Sequence, residues 1–410
     1  MSSRRRIVAL LAAVAAALAV PAVSVAAEPK GATGGCEVHE LTLPAATLDS
    51  QALPAPGLGD LPGGGDLTVS GRLCLPAGGP PETVMLALHG ITYDESYWNV
   101  DFEPETYDFS RAMTEAGYAV FALDRLGYGA STRPPAAAVT LDVQAEVAHQ
   151  VITTLRGGGV GQSFEHVILV GHSYGTATSW RESAVHNDAD AIIGTGWANT
   201  IQTEPLARFF TSFVPHQVAE PGRYDTADPL YLTSLPGQRG QDYLYDLDNV
   251  DPAMLAYDDE VLKDTVPAGE GATFYNRYGA VPIAEDPLTD ENLGLPLSDQ
   301  TRDITIPTFQ INGENELFFC GFGEEDCVDS ASLQLAEAEY FSPEACYRAA
   351  VVPDAGHNLN LQLNAPFAYR TIITFADQVL GPDGDRKQAY LRNCGAISGT
   401  EVDGMPEFGA

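Results

Sequence analysis

Basic residues are scarce in this chain of 410 residues. Its 21 lysines and arginines stand against 56 aspartates and glutamates, which gives a formal net charge of −35. Proteins that bind nucleic acid neutralise its phosphates with lysine and arginine, and anionic lipid surfaces attract the same side chains. The charge balance therefore excludes nucleic acid as a partner and disfavours an anionic membrane surface. We interpret the acidic surplus as a feature that favours solubility.

Metal-binding motifs and internal repeats are also missing. The sequence has no closely spaced Cys-x2-Cys pair and no His-Glu-x-x-His motif, and its eight histidines are scattered. We therefore expect no metal and no cofactor. Neither heptads nor longer repeats occur, and the 45% of apolar residues indicates a globular protein with a sizeable core.

The longest apolar run is too short for a comfortable membrane span, which needs about 20 residues. Three arginines at positions 4–6 precede an apolar stretch of 14 residues at 7–20, and small residues follow up to Ala27. This order is typical of a secretory signal peptide covering residues 1–27, with cleavage near Ala26 or Ala27. The Ser-Arg-Arg start resembles a twin-arginine signal. We expect a secreted protein with no membrane span after cleavage.

The six cysteines fit the same compartment. An even number of cysteines in an exported chain favours disulfides, although the sequence leaves 15 connectivities open. Pairing nearest neighbours along the chain predicts Cys36–Cys74, Cys320–Cys327 and Cys346–Cys394.

Buried strands alternate with amphipathic helices through most of the chain. Runs such as 166–170 are apolar at successive positions, as expected for strands covered on both faces of a parallel sheet. The pattern predicts an α/β fold with a mostly parallel, doubly wound sheet that begins antiparallel. Strands are expected at 37–43, 67–75, 83–88, 118–124, 166–170, 191–196, 307–312 and 347–353, and helices at 109–116, 141–155, 176–185, 329–340 and 365–380.

Residues 201–304, called the inserted segment below, interrupt this alternation. They contain 19 acidic and 6 basic residues and several short helical patterns. A structureless loop of this length is implausible in a compact domain. We interpret the segment as a largely helical cap over the carboxyl ends of the strands, inserted between a first core part at 28–200 and a second at 305–410, whose tail is tied by a disulfide.

The strongest chemical signal directly follows the strand predicted at 166–170. Gly171-His172-Ser173-Tyr174-Gly175 is a Gly-x-Ser-x-Gly motif between a strand and a helix, the context of a nucleophile elbow. The small residues let strand and helix pass a sharp turn that exposes the hydroxyl of Ser173. The strand at 83–88 ends in His89-Gly90-Ile91, which places the backbone N–H groups of Ile91 and Tyr174 as a candidate oxyanion hole.

A histidine and an acid follow in the order that this chemistry needs. His357 comes after a strand in a glycine-containing turn, where it is positioned to act as the general base. The strand at 307–312 is followed by Gly313-Glu314-Asn315-Glu316, and we select Glu316 as the acid that orients His357. Glu314 and Asp326 remain alternatives.

Together these segments resemble the α/β-hydrolase superfamily. The resemblance rests on His89-Gly90, Asp124-Arg125-Leu126-Gly127-Tyr128-Gly129-Ala130-Ser131, the Ser173 elbow, Gly313–Glu316 and Gly356-His357, and it spans about 67–381. It implies a serine nucleophile, a histidine base and an acid that is usually aspartate, so Glu316 departs from the family pattern. Epoxide hydrolases and haloalkane dehalogenases share the Asp-x-x-Gly-x-Gly-x-Ser segment but use an aspartate nucleophile, and Ser173 argues against both.

The sequence thus predicts a secreted serine hydrolase that cleaves a small carboxylic ester through an acyl-enzyme on Ser173. One alternative is an aminopeptidase of the tripeptidyl or prolyl type, and another is a binding protein on a hydrolase fold without activity. Arg125 and Tyr128 could contact substrate or serve as a structural turn. The aromatic residues of the cap could form its core or contact substrate: Phe209, Phe210, Phe213, Tyr224 and Tyr231. Its carboxylates could bind a substrate amine or face solvent: Asp225, Asp228, Asp258 and Glu260.

Overall fold

A computed structural model of the chain describes residues 35–44, 66–199, 201–241, 244–271, 301–320, 327–384 and 386–394. The expected signal peptide, Asp326 and part of the inserted segment lie outside these residues. None of the helices in the described ranges has the length and apolar character needed to cross a bilayer.

A mostly parallel sheet of eight strands forms the centre of the fold. Its strand order is β1-β2-β4-β3-β5-β6-β10-β11, in which β1, β2 and β4 pair antiparallel and all later neighbours pair parallel. The strands of the described residues are β1 (Cys36–Leu43), β2 (Leu67–Cys74), β3 (Thr83–Leu88), β4 (Ala119–Leu123), β5 (His166–His172), β6 (Ala191–Thr195), β7 (Val214–Pro215), β8 (Tyr231–Thr233), β9 (Val266–Pro267), β10 (Thr308–Gly313) and β11 (Arg348–Val352).

Helices cover this sheet. The α-helices with defined bounds are α1 (Pro104–Tyr107), α2 (Phe109–Glu115), α3 (Leu141–Arg156), α4 (Tyr174–Val185), α5 (Thr203–Thr211), α6 (His216–Ala219), α7 (Pro252–Tyr257), α8 (Ser330–Glu337), α9 (Ala365–Val379) and α10 (Lys387–Asn393). Every residue of β3, β4 and β5 is buried, which explains their unbroken apolar sequence. The edge strand β1 is mostly exposed, and its sequence alternates accordingly.

The predicted fold class is confirmed, and the predicted strands differ from the observed ones mainly at their ends. One difference lies at the elbow, where β5 runs on to His172 and α4 begins at Tyr174, two residues before the predicted start. The motif itself forms the end of the strand and the start of the helix, because the two elements meet at Ser173.

The described part of the inserted segment is more mixed than the helical cap expected from the sequence. It contains α5, α6, α7 and a π-helical turn at Asp258–Leu262, together with an antiparallel sheet of order β7-β8-β9. These strands are only two or three residues long, too short to produce a detectable alternation of apolar and polar residues.

All six cysteines form disulfides, and the predicted connectivity is confirmed. The pairs are Cys36–Cys74, Cys320–Cys327 and Cys346–Cys394. The first joins the edge strand β1 to β2, and the last ties the residue that follows α10 to the residues before β11.

Candidate active site

Ser173 occupies the sharp turn between β5 and α4. Its backbone has φ 52° and ψ −121°, a conformation that is costly for any residue with a side chain. The backbone N–H of Ser173 donates to the carbonyl of Thr195 in β6, which anchors the turn at the carboxyl end of the sheet. Strained residues of this kind are concentrated at functional sites.

The two glycines of the motif leave no space for a side chain. A Cβ built on Gly171 would lie 2.4 Å from Cα of Thr176, and one on Gly175 would lie 1.9 Å from the carbonyl oxygen of Leu88. The first contact brings α4 back against its own strand, and the second brings α4 against the end of β3. The spacing of the motif therefore follows from close backbone packing around the turn.

His357 and Glu316 are in direct contact. Nδ1 of His357 lies 2.6 Å from Oε2 of Glu316, and the exposed fractions of the two side chains are 4% and 0%. The other carboxylate oxygen, Oε1, accepts from the backbone N–H of Phe318 at 2.8 Å. Because both oxygens of Glu316 are engaged, its carboxylate has a fixed orientation and holds the imidazole with Nε2 directed away from the acid.

Glu314, the alternative acid, has a different partner. Its Oε2 accepts from the backbone N–H of Asp354, and Glu314 is exposed. The third alternative, Asp326, lies outside the described residues. Among the described candidates, the structure therefore brings Glu316 rather than Glu314 to His357.

His357 lies close to the turn that carries Ser173. The ring of His172, next to Ser173, is 4.9 Å from the ring of His357, centroid to centroid. A Cβ on Gly196 would be 3.2 Å from Cε1 of His357 and 3.1 Å from Cε1 of His172. Within the described residues no hydrogen bond joins Ser173 to His357. Such bonds are often long in free enzymes and tighten when substrate binds.

The loop after β3 also passes close to Ser173. A Cβ on Gly90 would be 3.1 Å from Cβ of Ser173, so the backbone that leads to Ile91 passes directly beside the serine. Tyr174 is the first residue of α4, and the first N–H groups of a helix have no acceptor within the helix itself. Tyr174 therefore adjoins Ser173 in the chain, and Ile91 directly follows the glycine that packs against Ser173, while their role as oxyanion donors stays a prediction.

A buried arginine supports that loop. Arg125 donates from Nε to the carbonyl of His89 at 2.9 Å and from Nη2 to the carbonyl of Gly90 at 3.2 Å. Its Nη1 lies 2.6 Å from Oε1 of Glu270, and Tyr128 donates to the same carboxylate at 2.6 Å. Arg125 and Tyr128 are both buried and both contact Glu270, which favours the structural one of the two sequence interpretations.

A second buried network joins the inserted segment to the residues beside the serine and histidine. Asp258 accepts hydrogen bonds from Tyr93 and Tyr245 at 3.2 and 2.6 Å. Tyr93 in turn accepts from the amide of Asn358 at 2.7 Å, and Oδ1 of Asn358 lies 3.1 Å from Nε2 of His172. The chain from Asp258 to His172 therefore runs through neighbours of His357 and Ser173.

This packing corrects the interpretation of Asp258 and agrees with the interpretation of Tyr231 as a core residue of the inserted segment. Asp258 is completely buried and lies 3.6 Å from the guanidinium of Arg239, so it neither faces solvent nor is available to a substrate amine. Tyr231 is also completely buried and donates to the carbonyl of Pro134. Sequence reasoning missed Glu270, Arg239 and Asn358, because nothing in their local sequence distinguishes a buried ionic or amide group from a surface one.

The two histidines beside the site are neutral. Burial lowers the pKa of His172 far below its usual value, and the nearby His357 adds to the effect. Burial also lowers the pKa of His89, with a further contribution from Arg125. A neutral His172, stacked on Tyr97 with 4.5 Å between ring centroids, places no positive charge next to the base.

A cavity of about 860 Å³ lies next to the loop that holds Glu316. It does not include Ser173, His357 or Ile91 in its wall. It is lined mainly by polar and acidic residues of the inserted segment and of the loops after β10 and β11: Arg208, Tyr245, Asp246, Asp248, Asn249, Asn315, Leu317 and Asp354.

Comparison with known proteins identifies the family. The protein-family model described as "Alpha/beta hydrolase family" matches residues 85–369, which is more than half of the chain. This chain belongs to the α/β-hydrolase family, in agreement with the sheet and the elbow described above.

Individual relatives are more distant. Epoxide hydrolase A of Mycobacterium tuberculosis (strain ATCC 25618 / H37Rv) is 29% identical over 117 residues, which are 28% of this chain and 32% of that protein. The match thus covers about a third of the length of this curated relative. Among solved structures, E-2-(acetamidomethylene)succinate hydrolase is 18% identical with a TM-score of 0.50, covering 83% of this chain and all of the other. Carboxylesterase CesB (YbfK) of Bacillus subtilis is 15% identical with a TM-score of 0.46, covering 83% and 91%. At these identities the structural likeness concerns the fold.

Proposed function

We propose that the protein is a serine hydrolase that cleaves carboxylic esters, with Ser173 as nucleophile, His357 as general base and Glu316 as the acid that orients His357. The observation that carries the proposal is the 2.6 Å contact between His357 and a carboxylate fixed at both oxygens, next to a serine held at positive φ. A structural histidine would not need an acid so fully engaged or a strained serine beside it.

In the acylation step, Oγ of Ser173 attacks the ester carbonyl carbon while Nε2 of His357 takes its proton. The carbonyl oxygen becomes an oxyanion, which accepts hydrogen bonds from the backbone N–H groups of Ile91 and Tyr174. Glu316 stabilises the imidazolium through Nδ1 and itself stays ionised. His357 then returns the proton to the departing alcohol, and the acyl group remains on Ser173.

In the deacylation step, His357 takes a proton from a water molecule that attacks the acyl carbon. The second oxyanion collapses, the acid product leaves, and Oγ of Ser173 regains its proton from His357. The cycle consumes one ester and one water molecule, releases an alcohol and an acid, and returns Ser173 and His357 to their starting states.

We propose further that the protein is exported and that the inserted segment serves as a cap over the site. Three disulfides support an oxidising compartment. The cap assignment is supported by the buried links from Glu270 and Asp258 to loops that flank Ser173. We expect a small-molecule ester as substrate.

The decisive experiment combines a fluorophosphonate probe with a panel of p-nitrophenyl esters of increasing acyl length. We expect the purified protein to react with the probe and to hydrolyse at least one ester, and Ser173→Ala to do neither. Glu314→Gln, in the same loop as Glu316, serves as a matched control with unchanged activity. Activity that survives in Ser173→Ala would refute the assignment, and an unlabelled wild type would favour a binding protein.

An exported aminopeptidase is the second candidate, and one observation favours testing it. The cavity beside Glu316 carries three carboxylates, those of Asp246, Asp248 and Asp354, which could accept a substrate ammonium group. Aminoacyl and tripeptidyl anilides assayed beside the esters distinguish the two. A higher kcat/KM for an anilide with a free amino terminus than for its acetylated form would assign the peptidase, and equal or absent anilide hydrolysis would assign the esterase.

A further inference from the structure

Potential metal ligands from two helices and a loop meet at a site separate from the serine. His149 lies on α3, Glu182 lies on α4, and Asp188 lies in the loop that follows α4. Each offers one nitrogen or oxygen atom, and these atoms all lie within 4.8 Å of one another. Glu182 is nine residues beyond Ser173, about 13 Å along α4 at 1.5 Å per residue. The cluster therefore has no part in the proposed reaction.

One oxygen of each carboxyl group in the cluster is buried without a donor among the described residues. Glu182 is completely buried, its Oε2 accepts from the hydroxyl of Ser183 at 3.0 Å, and its Oε1 has no hydrogen-bond partner among the described residues. Oδ1 of Asp188 is likewise buried without a partner there, while its Oδ2 lies 2.8 Å from Nδ1 of His149. Buried polar atoms are rarely left unpaired, and facing carboxyl groups need a shared proton or a cation between them.

We propose that His149, Glu182 and Asp188 bind a divalent transition-metal ion, for which zinc is the best match. An imidazole and two carboxylates are ordinary zinc ligands, and three protein ligands leave a fourth position for water. Zinc binds nitrogen and oxygen at about 2.0–2.2 Å, so its tetrahedral ligands lie roughly 3.4 Å apart. The atoms of this cluster need to close by little more than an ångström, and the half-buried side chains of His149 and Asp188 have space to rotate towards the buried Glu182.

The surroundings of the cluster fit a metal site. The ring of His186 stacks on the ring of His149, with 3.9 Å between centroids and 9° between planes. Nε2 of His186 lies 3.1 Å from a carboxylate oxygen of Glu146, which fixes that ring in turn. Outer partners of this kind orient metal-binding histidines. The side chains of His149 and Asp188 are 30% and 29% exposed, so an ion can enter from solvent.

The cluster connects two helices, since His149 lies on α3 and Glu182 lies on α4. The bound ion would join α3 to α4, the helix that begins at the elbow, and would stabilise their packing.

The experiment is isothermal titration of the full chain with zinc chloride, after treatment with EDTA and buffer exchange. We expect one bound zinc ion per chain and a higher Tm with zinc than without. Glu182→Gln and His149→Gln should each lower the zinc affinity at least tenfold. His39→Gln, a change of histidine in the edge strand β1, is the matched control and should bind as the wild type does.

Glu182→Gln also provides the result that would contradict the zinc proposal. Glutamine has nearly the shape of the protonated acid, so circular dichroism should report an intact fold. If Glu182 and Asp188 only share a proton, zinc will not raise the Tm of the wild type. Absence of stoichiometric binding, or equal affinity in the wild type and Glu182→Gln, would overturn the proposal.

Discussion

Nη1 of Arg125 lies 2.6 Å from Oε1 of Glu270, and neither side chain is more than 1% exposed. The pair links the loop beside Ser173 to the inserted segment, because Arg125 also donates to the carbonyls of His89 and Gly90. Gln144 donates to the same carboxylate oxygen at 2.7 Å. The ion pair is thus satisfied on all sides, which is the condition under which a buried pair is tolerated.

Removal of Glu270 should be costly. Glu270→Ala leaves the guanidinium of Arg125 buried without its carboxylate, and breaking one side of a buried pair costs about 3–5 kcal/mol. Urea unfolding measures the free energy directly. Glu105→Ala is the matched control, because Glu105 pairs with Arg111 at the surface with 72% of its side chain exposed, and solvent screening leaves exposed pairs with little effect on stability. Equal losses in the two variants would contradict the structural role of Glu270.

The strained backbone at Ser173 predicts that a glycine variant is more stable than an alanine variant at this position. Glycine adopts positive φ without the penalty that a Cβ imposes, and strain of this kind costs about 1–3 kcal/mol. Glycine gives back roughly 0.4–1 kcal/mol through the entropy of the unfolded chain. We expect Ser173→Gly to be more stable than Ser173→Ala by about 1 kcal/mol in urea unfolding. An alanine variant as stable as the glycine variant would mean that the turn is not strained.

The acid of the proposed triad can be distinguished by kinetics. Glu316→Gln keeps the shape of the side chain but removes the charge that orients and stabilises His357. The corresponding change in a serine protease lowers kcat by about 10⁴, and we expect a loss of roughly 10²–10⁴ in kcat/KM for ester hydrolysis. Glu314→Gln should leave kcat/KM within about twofold. A larger loss in Glu314→Gln than in Glu316→Gln would assign Glu314 as the acid that orients His357.

Stability should fall as pH rises from about 4 towards about 8. Burial, and then Asp264, raise the pKa of Asp94 to about 7, and burial together with Asp94 raises the pKa of Asp124 to about 8. A raised pKa means that the fold favours the protonated acid. The stability contributed by this proton is complete below the pKa of the unfolded chain and is lost as pH rises through the folded value.

The test compares urea midpoints at about pH 5 and about pH 8 in the wild type and in Asp94→Asn. Asparagine retains the acceptor that caps the short helix at Glu95–Tyr97 but carries no charge. We expect the midpoint of the variant to fall less between the two pH values than that of the wild type. An identical fall in both proteins would show that these carboxyls do not titrate as described.

The disulfides should differ in their contributions to stability. In the loop-entropy account, a bridge across 48 residues contributes about 4 kcal/mol and one across 7 about 2 kcal/mol. Replacing Cys346 and Cys394 by serine should therefore lower the urea midpoint more than replacing Cys320 and Cys327. The reverse order would mean that native packing, rather than chain entropy, dominates.

Much of the fold could be predicted from the sequence because the relevant signals are local. Continuous apolar runs mark β3 and β5, and the glycines around Ser173 mark a turn that has no space for side chains. Glu316 was selected over Glu314 by its distance from the end of β10, and its contact with His357 agrees with that choice.

Contacts between distant polar residues could not be predicted. Asp258 and Glu270 have the sequence surroundings of surface acids, and their partners Arg239, Tyr93 and Arg125 become evident only once the chain is folded. The histidines looked scattered for the same reason, since His149 and His186 are 37 positions apart in the sequence and stack in the structure. The short strands β7–β9 gave no periodic signal.

The link from Arg239 to Thr92 limits how this protein could be recombined. Arg239 of the inserted segment donates from Nη1 to the hydroxyl of Thr92 at 2.7 Å and from Nη2 to its carbonyl at 2.8 Å, and Thr92 itself has φ 59°. The conformation of Thr92, which follows Ile91, is thus stabilised by a side chain of the inserted segment. Grafting a foreign segment between β6 and β10 would remove a partner of the loop beside the serine, so a viable chimera has to exchange Thr92, Tyr93 and Arg125 together with the graft.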